Sequence, residues 1–264
     1  VDDGLNDNST DTAELKITII GAGNGSPTAR NDVGVILEDS TLSVSDGDNA
    51  NETSDSGTTY NATGEHSGDV IDTSSTTHYD TDPDGDTLTV TAVRLGSSEG
   101  SGTAGTVGSA LTGTYGQLTL NSNGSYTYVA NQTAADNLDA GDFVIDYFNY
   151  TVSDGTATDT ALISIKVVGV NDAPSAQNDV GVIVEDGTLT VTNGANATLS
   201  GTYDATGENS GDLIDTSSSS HTDSDLDTSA SLSITQIKKD GGSNSAVAVG
   251  SSYNSSGTPV SYTH

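Results

Sequence analysis

The chain has 264 residues, of which 38 are acidic and only 6 are lysine or arginine, so its formal net charge is −32. So strong a negative charge excludes nucleic acid and anionic membrane surfaces as partners, and it makes metal cations the expected counter-charges. Cysteine is absent, which excludes disulfides and thiolate metal sites, and no apolar run reaches the length of a membrane span.

Segments in which apolar and polar residues alternate predict short β-strands along most of the first 170 residues. In chain order, the predicted strands are 15–19, 33–39, 40–46, 87–93, the two arms of a hairpin at 116–129, 146–152 and 161–168. Between them, the Gly/Ser-rich stretches 45–59 and 96–110 lack periodicity and are expected to be disordered. About seven short strands separated by turns predict an all-β fold of the β-sandwich class.

The hairpin is the clearest of these elements. Leu118 and Leu120 face one way on its first arm, and Tyr126 and Tyr128 face the same way on its return arm. The turn residues Asn123-Gly124 suit a backbone with positive φ, which is typical of a tight β-hairpin.

Long internal repeats predict the domain organisation. The matched segments are 31–44 with 178–191, 60–82 with 203–225, and 1–27 with 152–174. We therefore predict three regions: the C-terminal strand region of a preceding repeat at 1–26, a complete repeat at 27–173, and the N-terminal part of a following, truncated repeat at 174–264. Because Val1 begins within the pattern, we expect the chain to be part of something longer.

An acidic loop, DTDPDGD, places four carboxylates on alternate positions. They are Asp80, Asp82, Asp84 and Asp86. Carboxylates on a tight loop can converge on one hard cation, and Gly85 permits the sharp turn. The start matches a calcium-binding EF-hand loop, but the twelfth position is Thr91 rather than glutamate, so an EF-hand is not expected. The other interpretation is that these aspartates begin turns on a solvated acidic surface.

Several motifs resemble one family. GQLTLNSNGSYTYVA, DYFNYTVSDG and VVGVNDAP, together with VEDGTLTV and DTDPDGDTLTVTAV, resemble the VCBS-type and cadherin-like tandem repeats of giant bacterial adhesins of the RTX type. The resemblance implies Ig-like or cadherin-like β-sandwich repeats joined by short linkers. It also implies type I secretion, an extracellular or cell-surface location, and calcium-stiffened stalks used in adhesion or biofilm formation.

Calcium (Ca2+) at the repeat junctions is the resulting hypothesis. In an Ig-like strand order, we expect the acidic loop to share one end of the sandwich with Asp154 and with Glu38-Asp39. In the cadherin-like pattern, linker residues complete the shell of ligands. At the second junction the expected ligands are Asn171, Asp172, Glu185, Asp186, Asp223, Asp225 and Asp227.

The two junctions differ in sequence. The first linker, GAGNGSP, has no aspartate that matches Asp172, and Thr228 and Ser229 replace Gly85 and Asp86 in the second acidic loop. We therefore expect the two junctions to bind different numbers of ions, or one of them to bind weakly.

The predicted function is structural: an adhesive or matrix-forming segment whose partners are neighbouring repeats of the same protein. No nucleophile elbow, zinc-binding helix or phosphate loop is visible, so no enzymatic activity is predicted. Three alternatives stay open. They are a glycan-binding β-sandwich module, a fibre subunit that polymerises by exchanging strands, and an accessory region of a secreted enzyme.

Overall fold

A computed structural model describes residues 14–19, 21, 23–45, 52–53, 59–60, 68–71, 80–179, 181, 189, 191, 213–214, 223–239 and 260–263. Within this part of the chain the regular structure is all β, and no helix is long and apolar enough to cross a membrane. The predicted ligands Glu185 and Asp186 lie outside the described residues.

The described residues form thirteen strands. In chain order they are β1 (Asp32–Leu37), β2 (Thr41–Val44), β3 (Glu52–Thr53), β4 (Thr59–Tyr60), β5 (Thr89–Leu95), β6 (Thr103–Ala104), β7 (Ala110–Thr112), β8 (Gln117–Leu120), β9 (Tyr126–Val129), β10 (Phe143–Ser153), β11 (Thr158–Val168), β12 (Gln236–Lys239) and β13 (Val260–Thr263).

Two sheets form the body of the fold. One has the order β1-β11-β10-β5-β6, and the other has the order β2-β9-β8-β7. Only β1 and β11 pair in parallel, while the remaining pairs in both sheets are antiparallel. The short pairs β3–β4 and β12–β13 stand outside these sheets. This arrangement confirms the predicted all-β class, with two sheets as in a β-sandwich.

A single large apolar cluster lies between the two sheets. The hairpin β8–β9 contributes Leu118, Leu120, Tyr126 and Tyr128, all of them fully buried, as the alternation predicts. Gly124 closes this hairpin with φ +95°, a backbone conformation that L side chains rarely adopt. The prediction for the hairpin, including its turn, is therefore confirmed.

The long hairpin β10–β11 supplies the other half of the core. Its inward residues are Phe148, Tyr150 and Val152 on β10 and Ile163, Ile165 and Val167 on β11, and all are buried. Each such side chain contributes about 1.5–3 kcal/mol by leaving water. The alternation of residues again predicts the faces correctly, because a strand with one buried face must repeat every two residues.

A β-bulge changes the face of β5. Val90 pairs with Val152 while Ala92 pairs with Thr151, so Thr91 is the extra residue. The bulge reverses the alternation, and Val93 is buried beyond it. The strict alternation expected for the strand predicted at 87–93, which would put Leu88, Val90 and Ala92 on one face, therefore holds only as far as the bulge.

The stretch 96–110 is ordered, contrary to the prediction of disorder. The side chain of Asn149, itself buried, accepts the N–H of Gly100 at 3.0 Å and donates to the carbonyls of Gly96 (3.1 Å) and Ser101 (3.0 Å). The carbonyl of Val93 accepts a further bond from this segment at 2.9 Å. A distant side chain thus orders a stretch that has no periodicity of its own.

Residues 14–19 form no strand in the structure. Their apolar side chains Leu15, Ile17 and Ile19 are 83%, 73% and 89% exposed. The strand predicted at 15–19 is therefore not formed, and these residues belong to neither sheet.

Candidate functional site

The first acidic loop, residues 80–86, closes on itself through Asp82. Oδ1 of Asp82 accepts the backbone N–H groups of Asp84 at 2.8 Å and Asp86 at 3.2 Å. Gly85 takes the positive φ of +78° that the turn requires, and its N–H donates to the carbonyl of Asp82 at 3.2 Å. Oδ2 of Asp82 is buried and has no hydrogen-bond partner. One oxygen of Asp82 therefore holds the turn, while the other receives no donor.

Three contacts fasten the chain before β1 to this loop, and together we call them the first clasp. Thr28 and Thr81 are joined by two backbone hydrogen bonds, of 2.7 and 3.0 Å. The N–H of Gly25 donates to Oδ2 of Asp84 at 2.5 Å, and the N–H of Arg30 donates to Oδ1 of Asp80 at 2.7 Å. The acidic loop thus binds the incoming linker directly through its carboxylates.

Asp154 lies at the same end of the fold as the first clasp. Its Oδ2 accepts the Nδ2 group of Asn24 in the linker at 2.9 Å. Its Oδ1 accepts the backbone N–H groups of Ala157 (2.7 Å) and Thr156 (2.6 Å), and these bonds hold the pKa of Asp154 below its usual value. The structure therefore brings Asp154 and the acidic loop to one linker, as the sequence predicts.

The second linker carries the same clasp, which we call the second clasp. Ser175 and Ser224 are joined by two backbone hydrogen bonds, of 2.7 and 3.0 Å. Two carboxylates accept N–H groups of the linker: Oδ2 of Asp227 from Asp172 (3.0 Å) and Oδ1 of Asp223 from Gln177 (2.7 Å). Within the loop, Oδ1 of Asp225 accepts the N–H of Asp227 at 3.0 Å. Each of these contacts has its counterpart in the first clasp or in the turn that Asp82 closes, so the local geometry recurs with the sequence.

Glu38 and Asp39 lie at the second clasp and not beside Asp80, which corrects the predicted grouping. Asp80 and the start of β1 share Tyr150, whereas Glu38 follows the last residue of β1. A six-residue strand spans about 20 Å, so the two ends of β1 are far apart. The Ig-like strand order had placed both turns at one end.

Glu38 is held in an unusual position for a glutamate, with only 1% of its surface exposed. Its N–H donates to the carbonyl of Val168 at 2.9 Å, and its Oε1 accepts the N–H of Val170 at 2.5 Å. Burial raises the pKa of Glu38 to about 7, and the nearby charges of Asp172, Asp39 and Asp227 raise it further while the bond from Val170 opposes them. Oε2 has no hydrogen-bond partner.

Two more carboxylate oxygens near Glu38 are buried without a partner: Oδ2 of Asp172 and Oδ1 of Asp227. Burial and the charges of neighbouring aspartates, Asp39 and Asp227 foremost, raise the pKa of Asp172. Within the described residues, then, three segments bring unsatisfied carboxylate oxygens to one place. They are the β1–β2 turn, the second linker and the second acidic loop.

Other predicted ligands take supporting positions. Asp39 adopts a left-handed backbone (φ 59°) at the β1–β2 turn, which aspartate tolerates better than most residues, and its N–H donates to the carbonyl of Ala130 at 3.0 Å. The side-chain amide of Asn171 donates to the carbonyl of Asp172 at 2.6 Å. These contacts shape the turn and the linker.

Sequence reasoning gave the segment 132–142 no role in the site, but it contributes Asp136 and Asp139 to the second junction. Oδ1 of Asp139 accepts the N–H of Ser229 at 2.8 Å, and the carbonyl of Asn137 accepts the hydroxyl of Thr228 at 2.5 Å. Bonds from Ser229 lower the pKa of Asp139. Thr228 and Ser229 replace Gly85 and Asp86 of the first acidic loop, and this replacement was the available signal.

Among the residues that the structure describes, no group of three or more His, Asp or Glu side chains is arranged to hold a metal ion. In both acidic loops, one oxygen of each of the first three aspartates instead accepts a backbone N–H group. At the second junction the donor set is all oxygen and includes three buried oxygens without partners, on Glu38, Asp172 and Asp227, so it fits a hard cation in its chemistry. Occupancy would require the carboxylates to rotate toward one another.

Comparisons with known proteins do not identify a family. No family model and no curated protein matches the chain. Among solved structures, an endo-fucoidan hydrolase from glycoside hydrolase family 107 and a variant of it each match with 20% sequence identity and a TM-score of 0.25. The match covers 62% of this chain and 18% of that enzyme. A TM-score of this size carries no argument about fold or activity.

Proposed function

We propose that this chain is a segment of an extracellular or cell-surface fibre protein whose tandem β-sandwich repeats are stiffened by calcium at their junctions. The resemblance to VCBS-type and cadherin-like repeats supports the class, and the recurrence of the clasp supports a tandem arrangement. The observation that carries the calcium proposal is Glu38, a buried carboxylate with an unpartnered oxygen that faces two further carboxylates.

Calcium is the cation that suits this donor set best. It takes six to eight oxygen ligands from carboxylates, carbonyls and water, and the junction offers Glu38, Asp172, Asp225 and Asp227 from one chain. Burying an uncompensated carboxylate is costly, and a divalent cation would relieve this cost for several carboxylates at once. With only six basic side chains against 38 acidic ones, the chain itself can supply few counter-charges.

Stiffening would follow from where the ligands originate. Glu38 belongs to the sandwich, Asp172 to the linker, and Asp225 and Asp227 to the loop of the next unit. A cation held by all three segments would fix the angle between successive repeats, and a row of such junctions would form a rigid stalk. Its partners are then the neighbouring repeats, and its role is to project an adhesive region or to build a matrix.

The test combines thermal melting with small-angle scattering, in EDTA and then in millimolar calcium. Calcium that binds only the folded state raises the free energy of unfolding by about 2.7 kcal/mol at about 100 times Kd. We expect a higher melting temperature and a longer, less flexible particle with calcium. Glu38→Gln, which keeps the shape of the side chain but not its charge, should lose most of the gain.

The matched control is Glu99→Gln, an exposed glutamate in the turn after β5. It should respond to calcium as the unaltered chain does. If neither the melting temperature nor the scattering of the unaltered chain responds to calcium, the proposal is wrong. A response that Glu38→Gln leaves intact would move the binding away from the second junction.

A strand-exchanging fibre subunit is a second candidate, favoured by the exposed stretch 14–19. In the repeat alignment, Leu15, Ile17 and Ile19 correspond to Ile163, Ile165 and Val167, which are fully buried in β11. These side chains suit the last strand of a preceding repeat or a strand donated to another molecule. Association that depends on concentration, and that Ile17→Asp abolishes, would favour donation.

A further inference from the structure

Beneath the first clasp, three aspartates are buried in the interior of the sandwich. Asp32, Asp69 and Asp80 are only 2%, 1% and 7% exposed. Asp32 begins β1 and Asp80 begins the acidic loop. Asp69 belongs to the segment 68–71, which packs against the turn of the hairpin β8–β9. Burial raises the pKa of Asp80 to about 7, opposed by its bonds from Arg30 and Tyr150, and the charge of Asp69 raises it further.

The hydroxyl of Tyr150 lies among four acceptor oxygens of this pocket. Its oxygen lies 2.8 Å from the carbonyl of Arg30, 2.8 Å from Oδ2 of Asp32, 3.2 Å from the carbonyl of Val70 and 3.5 Å from Oδ2 of Asp80. A phenol has one proton to donate and can satisfy one of these four oxygens at a time. Carbonyl and carboxylate oxygens gathered in this way are the ligands of a hard cation.

A second tyrosine points independently to a ligand. Tyr126 is 1% exposed, and its hydroxyl has no hydrogen-bond partner. Burial raises the pKa of Tyr126, and the nearby charges of Asp32 and Asp69 raise it further. A buried hydroxyl without a partner is destabilising, and a phenylalanine would pack in the core without that cost. A polar ligand in this pocket would give the hydroxyl a partner.

We propose that Asp32, Asp69 and Asp80, with the hydroxyl of Tyr126 and the carbonyls of Arg30 and Val70, form an interior site for a hard divalent cation of the calcium class. The site shares only Asp80 with the first clasp: Oδ1 of Asp80 accepts the N–H of Arg30, and its Oδ2 lies by the hydroxyl of Tyr150. Asp84 and Asp154 bond to the linker, whereas Asp32 and Asp69 are buried in the core. Binding requires the three carboxylates to rotate toward one another. The bound ion would tie β1, the segment 68–71 and the acidic loop together.

The sequence repeats this set of carboxylates. Asp32, Asp69 and Asp80 match Asp179, Asp212 and Asp223 of the following unit, and Asp212 lies outside the described residues. Asp223 also repeats the placement of Asp80, because it is buried and accepts the N–H of Gln177. Within the described residues, Asp223 therefore takes the same local position in the following unit that Asp80 takes in the first.

The test counts calcium ions bound to the full chain by titration calorimetry, with melting in EDTA and in calcium. Asp69→Asn should remove one bound ion or weaken it at least tenfold. Tyr126→Phe should weaken the same ion several-fold without lowering the melting temperature in EDTA. Glu38→Gln is the matched junction variant and should leave this ion in place, so failure of the junction site and failure of the interior site are distinguishable.

Melting separates a bound ion from simple protonation of the buried carboxyl groups. Asp69→Asn removes a buried charge, so it should raise the melting temperature in EDTA while reducing the gain that calcium produces. If it raises the melting temperature equally in both solutions, with the number of bound ions unchanged, protons neutralise the cluster and the proposal is overturned.

Discussion

At the scale of single residues, Asp146 shows how this chain buries a carboxylate without a cation. Its Oδ1 accepts the N–H of Thr114 at 3.0 Å, and its Oδ2 accepts the N–H of Tyr115 at 3.0 Å and the hydroxyl of Tyr128 at 2.7 Å. Three donors satisfy the two oxygens, and the strand β10 is thereby joined to the loop between β7 and β8. Glu38, which has one such donor on its side chain, is the contrasting case.

Replacing Asp146 by asparagine should destabilise the sandwich by about 2 kcal/mol. The amide group of asparagine would face donors where the carboxylate now accepts them, so at least one buried donor loses its partner. Urea unfolding followed by tyrosine fluorescence measures the change, because the chain has no tryptophan. Asp142→Asn, at an exposed position nearby, is the control and should change stability by less than about 0.5 kcal/mol. An equal loss in both variants would contradict this account.

At the scale of elements, hairpins were predictable and tertiary contacts were not. β8–β9 and β10–β11 follow from a two-residue period and, in the first case, an Asn-Gly turn, which are local properties of the chain. The bulge at Thr91 and the ordering of residues 96–110 by Asn149 depend on neighbours more than 45 positions away. No local pattern carries that information.

The candidate site divides in the same way. The contact of the acidic loop with the linker was expected only from an Ig-like strand order, but the loop itself and its turn at Gly85 follow from a local motif. The location of Glu38 does not, because it depends on β1 pairing in parallel with β11 along the full length of the sheet. Register and direction of pairing decide which end of a strand meets which linker, and alternation alone leaves both undetermined.

Residues 14–19 match part of β11 in sequence but are exposed, so alanine substitutions at corresponding positions should have different effects on stability. Ile165→Ala removes a fully buried side chain from β11 and should destabilise the sandwich by about 2–5 kcal/mol. Ile17→Ala, at the corresponding position of the exposed stretch, should change its stability by less than about 0.5 kcal/mol. Urea unfolding of both variants measures the difference. A large loss for Ile17→Ala would show that residues 14–19 pack on this sandwich after all.

At the scale of the whole molecule, charge links the sites. The formal charge of the chain is −32. Among the described residues, acidic side chains cluster at the two linkers and in the core beneath the first clasp. Exposed carboxylates repel one another within a Debye length of about 8 Å at physiological ionic strength. Protons or cations must relieve this repulsion, and the two compete for the same oxygens, so calcium binding and pH dependence are linked.

This competition fixes the sign of the pH dependence without metal. The pKa of Glu38 is about 7 in the folded chain and 4.5 as an ordinary glutamate, so between these values the folded state binds more protons than the unfolded state. The free energy of unfolding must then fall as pH rises through this range. Asp80, whose pKa is raised from 3.8 to about 7, contributes with the same sign.

We therefore expect the chain in EDTA to melt at a higher temperature at pH 5 than at pH 8. Millimolar calcium should reduce or reverse that difference, because at pH 8 calcium can bind the carboxylates that hold protons at pH 5. Melting scans from pH 5 to 8 measure both slopes. Glu38→Gln removes one titrating group, so its slope in EDTA should be shallower, while Glu99→Gln should keep the slope of the unaltered chain. If the pH dependence came only from general charge repulsion, both variants would show the same slope. That result would show that Glu38 does not contribute to the pH dependence of the melting temperature.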